Sequence, residues 1–448
     1  MRADRIVSEG ATASDAGRRV GAFTAACLLI SNAVGSGIFT TTGFQARDLG
    51  DPGAILLLWL AGGALALAGA MSYGELGAAI PRVGGEYVYL RRAFGPLCGF
   101  LSGWMSFTVG FGAAIAAAAM AFAAYLGTLA PGSLFERAPT AVALALVWAL
   151  TGVHLLGTEQ GGRFQRWITI AKIGAVFLGL IAALAWGEGS WGNLTRGVPG
   201  VSPELGSTSV ALIFVLYAFS GWNAASYIAG EMRDPARNLP RALVGGTLFV
   251  TGFYLAVNLV YFYALPAEAL AADPVLPVAE KVASALFGDG AARLASALLC
   301  LSIAGACSSM IWAGPRVYQA MAQDGVVPAA LARTTTRGAP ATSTLLQSAW
   351  ISLLLFTGTF EQLVVYAGVA LAVFSALGVS SVVVLRVREP ELERPYRVAL
   401  YPWVPLAYMA GSLWIALYTG LERPTEAALS VATIASGLPL YWLWNRRR

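Results

Sequence analysis

The chain has 448 residues, of which 57% are hydrophobic and only 12% charged, with a mean hydropathy of +0.67 and a formal net charge of +5. Soluble domains carry about 25% charged residues, so a soluble fold is excluded and an integral membrane protein is indicated. Apolar runs of about 20 residues recur without strand-sized alternation, which makes the spans helices rather than barrel strands. The basic residues sit in short loops between spans, so the positive charge does not point to nucleic acid.

Residues 1–20 are polar, carry four arginines and contain no cleavable signal peptide; they read as a cytoplasmic tail. Twelve apolar runs follow, over 21–46, 53–80, 96–127, 139–157, 165–186, 207–230, 241–264, 291–321, 342–357, 361–385, 399–420 and 425–444. With both termini placed in the cytoplasm, 22 of the 29 basic residues fall on that side and six outside. That asymmetry fixes the orientation. The expected division is a core over 21–390 and an accessory pair of spans with a short basic tail over 391–448.

The first run contains Asn32-Ala33-Val34-Gly35-Ser36-Gly37-Ile38-Phe39. Each glycine in a helix interior costs about 1 kcal/mol relative to alanine, and unwound backbone at that depth is tolerated only beside protein or a cavity. A break at Gly35–Gly37 turns the positive N-terminus of a half-helix inward, a seat for a small carboxylate. Ser36 adds a hydroxyl donor. The alternative for such glycines is close helix packing.

In the second run Glu75 lies near the cytoplasmic end, where pairing with a loop arginine is favoured over carrying a proton. The cysteines Cys27, Cys98, Cys300 and Cys307 form no C-x-x-C pair and read as small core residues. His154, the single histidine, reads as a packing or capping residue. Lys172 stands in the fifth run, one of only two lysines among the 29 basic residues. A lone lysine at a helix centre costs about 2.5–3.5 kcal/mol on insertion scales, so it should face protein or a cavity. It can carry a coupling proton or stand as a fixed cation where sodium could bind; the alternative is snorkelling toward the Arg163–Arg166 loop.

The sixth run has the only comparable mid-depth break, Tyr217-Ala218-Phe219-Ser220-Gly221-Trp222-Asn223. It starts five spans after the first, and an odd number of spans per unit inverts the second unit. Spans 1–5 and 6–10 therefore read as an inverted pair, and paired broken helices mark a transporter binding site. The amides of Gly35, Ser36 and Gly37 would face an anion. Carbonyls of Tyr217, Ala218 and Ser220 would face a cation, so a zwitterion of amino acid size fits between. Asn223 can offer its amide to either side, and Tyr217 and Phe219 are candidates for an aromatic gate. Ser308 and Ser309 in the eighth run are read as packing residues ahead of sodium ligands. Gly84-Gly85 lacks the continuation of a phosphate-binding loop, and no metal cluster, nucleophile with its base or cofactor motif stands out.

The segments 32–39, Pro-Arg-Val-Gly-Gly-Glu-Tyr-Val-Tyr-Leu (81–90), Phe-Ser-Gly-Trp-Asn (219–223) and Glu-Met-Arg-Asp-Pro-Ala-Arg-Asn-Leu-Pro-Arg-Ala (231–242) resemble the amino acid–polyamine–organocation superfamily. The likeness is closest to its L-amino-acid-transporter-like branch and covers about residues 20–390. It implies the LeuT-type fold, with substrate carboxylate on Gly35–Gly37, neighbouring Val34 included, and substrate amine on carbonyls around Tyr217–Ser220. It also implies sodium independence through Lys172. Members that bind an accessory glycoprotein carry a cysteine between spans 3 and 4; residues 128–138 have none, so no disulfide-linked subunit is expected.

The expectation is an all-α membrane protein of twelve helices that moves neutral L-amino acids across a bacterial inner membrane by alternating access. Proton coupling is favoured over exchange. A polyamine or organic-cation transporter and a non-transporting amino acid sensor remain as alternatives. The expected partners are the amino acid, protons and membrane lipid.

Overall fold

The computed structural model describes residues 20–275 and 278–445. Both expected cytoplasmic tail ends, 1–19 and 446–448, lie outside the described residues. The first apolar run is α1 (Ala22–Ala33) and α2 (Ser36–Leu49). The chain continues through α3 (Pro52–Ala79), α4 (Glu86–Phe94), α5 (Pro96–Leu129), α6 (Pro139–Leu155) and α7 (Thr158–Trp186). Then come α8 (Leu205–Phe219) with a 3₁₀ continuation Ser220–Glu231, and α9 (Pro235–Ala264). The remaining large elements are α10 (Asp289–Ala313), α11 (Pro315–Gln323), α12 (Ala341–Leu354), α13 (Phe360–Arg388), α14 (Trp403–Glu422) and α15 (Pro424–Ala435).

Among the described residues, ten helical stretches are long and apolar enough to cross a membrane. The fourth and ninth expected runs fall on α6 and α12, of 17 and 14 residues, shorter than the ~20 residues of a typical crossing. Local chemistry sets several boundaries. Gly50 takes φ +67° at the end of α2, and Asp51 then caps α3 by accepting from the amides of Gly53 and Ala54 at 3.1 and 3.2 Å, with Pro52 in the first turn. A capping box of Thr359 and Gln362 starts α13.

The packing has the symmetry of an inverted repeat. α3 lies along α9, and α10 lies along the Gly112–Leu129 part of α5. α1 meets the 3₁₀ segment, while α2 meets α8. Each of these pairs joins an element to its counterpart five spans later. The relation also holds off the axis, since α10 packs on α7 as α5 packs on α13. The two halves thus wrap around each other and enclose the two broken spans.

Two loop features complete the scaffold. α4 is a short helix buried nearly all round, at Glu86, Tyr87, Val88, Tyr89, Leu90 and Ala93, and rests on α5 and α13; the sequence motif at 81–90 did not identify it as an element. Glu75 pairs with Arg386 through bonds of 2.8 and 2.6 Å and accepts from the Val398 amide at 2.7 Å. The expected arginine pairing is thus made from the last turn of α13, with the loop residue Arg394 farther off at 3.6 Å.

Candidate functional site

α1 stops at Ala33, whose carbonyl accepts from the Gly35 amide at 2.8 Å, and α2 begins at Ser36. The first amides of a helix have no partner within it, so those of α2 open toward the interior. The glycines are needed for contact rather than flexibility. A Cβ on Gly37 would lie 2.6 Å from the Ala218 Cα, and one on Gly35 would lie 2.6 Å from the Ala306 Cβ. The first break therefore sits backbone-to-backbone against α8.

The second break differs from expectation. The sixth span does not unwind but tightens at Ser220 from α to 3₁₀ and runs on to Glu231. Tyr254 of α9 joins the two breaks, its hydroxyl lying 2.5 Å from the Ala33 carbonyl and 2.8 Å from the Ala218 carbonyl. The sequence reading missed it. A tyrosine mid-run whose hydroxyl must find a partner when buried was the available signal. Tyr254→Phe is expected to lower the stability of the purified protein by about 1–3 kcal/mol, read from denaturant or thermal unfolding.

Lys172 is fully buried and does not snorkel. Its ammonium donates to the carbonyls of Ser31 at 2.8 Å, Val34 at 2.6 Å and Ser302 at 3.5 Å. A point charge with three donors thus holds the carbonyl end of the first break, and the Ser302 hydroxyl reaches the same Val34 carbonyl at 3.5 Å.

Gly35, Ser36, Gly37, Tyr217 and Ser220 converge on one small cavity of about 10 Å³, room for a single water at most. Asn32, Ala33, Ala114, Ala118, Ala306 and Met310 complete its lining, and no acidic or basic side chain is among these residues. Ser36 and Tyr217 join across it, hydroxyl to hydroxyl, at 3.0 Å. The other expected site residues point elsewhere. The Val34 carbonyl belongs to Lys172, while Ala218 backs Gly37. Phe219 packs against Trp59 and Tyr254, and Asn223 donates to Glu86 at 2.9 Å and to Tyr227 at 3.2 Å. His154 meets Ser308 at 2.8 Å, and Ser309 bonds back to the Ala306 carbonyl. Small-molecule sites start at about 300 Å³, so the cavity in this conformation is too small for a ligand of amino acid size.

Aromatic and ionic clusters tie the surrounding helices together. On one side Phe44 stacks on Phe214 and Phe360, with Tyr217 edge-on to Phe360. On the arginine-rich side, Arg316 pairs with Glu231 at 2.8 Å, while Asp324 binds Arg82 at 3.1 Å, the Tyr87 hydroxyl at 2.8 Å, and Arg91. Burial opposes the Asp324 charge, but Tyr87, Arg82 and Arg91 together outweigh it and hold its carboxyl below the ordinary 3.8. A depressed carboxyl contributes its full stability above the ordinary value and loses it as pH falls through the folded one. Asp324→Asn is expected to reduce the loss of thermal stability on acidification below pH 3.8, measured against the parent protein.

A family model described as amino acid permease matches residues 20–436. The serine/threonine exchanger SteT of Bacillus subtilis is 28% identical over 439 residues, covering 96% of this chain and 98% of its own. The b(0,+)-type amino acid transporter 1 of Rattus norvegicus is 30% identical over 440 residues, covering 95% of this chain and 88% of its own. The large neutral amino acids transporter small subunit 2 of Homo sapiens is 28% identical over 441 residues, with 95% and 80% covered. These matches run through both helix breaks and the cavity between them, and the chain belongs to the amino acid permease family of the amino acid–polyamine–organocation superfamily.

Proposed function

We propose that this permease moves neutral L-amino acids by alternating access, coupled to protons and independent of sodium. The observation that carries the reading is Lys172, whose ammonium occupies the carbonyls of Ser31 and Val34 at the first break. A resident cation there removes the need for a sodium ion and leaves a group able to exchange a proton when the break opens. The substrate carboxylate would face the α2 amides at Ser36 and Gly37, and its ammonium the carbonyl side near Tyr217–Ser220. A cavity lined without charge favours a neutral side chain over a polyamine or a basic or acidic amino acid.

A second reading is obligatory exchange, favoured by the name of the Bacillus subtilis relative, a serine/threonine exchanger. We place the protein in a bacterial inner membrane on its arginine-rich, lysine-poor composition, with both termini cytoplasmic on the distribution of its arginines, and without a disulfide-linked subunit, since 128–138 has no cysteine. Proteoliposomes test these readings together. Proton symport predicts accumulation of labelled alanine or leucine under an inward pH gradient with sodium absent. Exchange predicts uptake only when the lumen is preloaded, and a polyamine carrier predicts competition by putrescine. Saturable binding without flux would leave a sensor.

A further inference from the structure

Glu86 opens α4 and is only 1% exposed. One of its oxygens accepts from the Tyr73 hydroxyl of α3 at 2.8 Å and from the Asn223 amide of the 3₁₀ segment at 2.9 Å. The Ser375 hydroxyl of α13 also reaches the carboxyl. The other titratable groups facing it are phenols: Tyr89 on its own helix, Tyr227 on the 3₁₀ segment and Tyr408 on α14. Among the described residues no lysine, arginine or histidine pairs with it, whereas Glu75, Glu231, Asp324, Glu361 and Glu389 each hold an arginine.

A buried carboxylate without a cation is costly, and such a group takes up a proton instead. Burial raises its affinity for that proton, and the Tyr73, Asn223 and Ser375 hydrogen bonds oppose the rise. Asn223 is the donor that can leave, because it belongs to the inner half of a broken span. If that half parts from α3, α4 and α13, the carboxyl loses a donor and gains water. We propose that Glu86 is a proton-binding site of the permease, loaded while the 3₁₀ segment is packed against α4 and emptied when that segment parts. On parting, the carboxyl O–H breaks, the proton passes to solvent on the α4 side and a solvated carboxylate remains; repacking reverses the step. The site rests on the alternating-access reading above and adds to it the group that senses the inner half of the sixth span.

The test is substrate exchange in proteoliposomes at equal pH on both sides, from about pH 5 to about pH 9. The parent is expected to lose exchange on the alkaline limb, where Glu86 no longer reloads, and Glu86→Gln is expected to lose that limb, since glutamine keeps the acceptor oxygen. Tyr73→Phe removes one donor to the carboxylate and should move the limb to higher pH by about one to two units. Lys172 is the other proton-bearing group of the proposed function, but Tyr73 touches Glu86 and not Lys172, so the direction of the Tyr73→Phe shift assigns the limb. A parent without the limb, a Glu86→Gln profile that superimposes on the parent, or an unmoved Tyr73→Phe midpoint overturns the site. If Glu86→Gln does not insert, the Tyr73→Phe midpoint decides alone. Absence of accumulation under a pH gradient, with the limb and its shifts intact, overturns symport and supports Glu86 as a proton-linked gate.

Discussion

Lys172→Ala is expected to abolish accumulation of alanine or leucine under a pH gradient and to lower the initial rate at least tenfold. The ammonium is the donor that three buried carbonyls share at the first break, and hydrogen bonds to a charged group are worth about 1.5–3 kcal/mol each. Without it, the carbonyl end of the break has no cation and the half-helices lose their fixed relation. Lys172→Arg is not expected to restore function. The side chain lies against Gly305, where a Cβ would already meet its Cδ at 3.4 Å, and a planar guanidinium cannot reproduce a point charge on three converging carbonyls. Parent-like accumulation by Lys172→Ala would make the lysine a packing residue only.

Gly37→Ala is expected to weaken amino acid binding at least tenfold while leaving the protein inserted and folded. The added methyl would meet the Ala218 backbone at 2.6 Å, and backbone cannot move aside as a side-chain end can. Overpacking of this kind costs about 1–3 kcal/mol, and here the cost falls on the contact of the two breaks, where we propose that substrate binds. Gly174→Ala is the matched control, because a Cβ there meets nothing within 4 Å. A thermal-shift series over the neutral amino acids reads both, since a ligand that binds only the folded state raises apparent stability by mass action. Equal shifts for Gly37→Ala and Gly174→Ala would move the binding site away from the breaks.

Much of this architecture is written in local chemistry. Gly35 and Gly37 are conspicuous inside an apolar run, and the structure breaks the helix there. Lys172 is conspicuous because lysine is otherwise nearly absent, and its burial follows from the cost of leaving it in lipid. The sixth span was less legible. Its Gly-Trp-Asn segment marks a change of helix type, but no local residue shows that 3₁₀ bonding could serve in place of unwinding. Asn223 looked like a substrate contact because its side chain is polar at mid-depth; only the fold shows that Glu86, 137 positions away, accepts from it. Ala114, Ala118 and Ala306 line the cavity without any signal, since alanine recurs throughout the spans.

Tyr254 carries a stoichiometric consequence. A phenol has one hydrogen, and two carbonyls, one from each broken span, lie within 2.8 Å of it. They compete for a single proton, so either can depart without stranding the donor. An under-satisfied carbonyl is tolerated more readily than an orphaned N–H. A contact built on one shared hydrogen therefore stays engaged with either carbonyl when the other moves away.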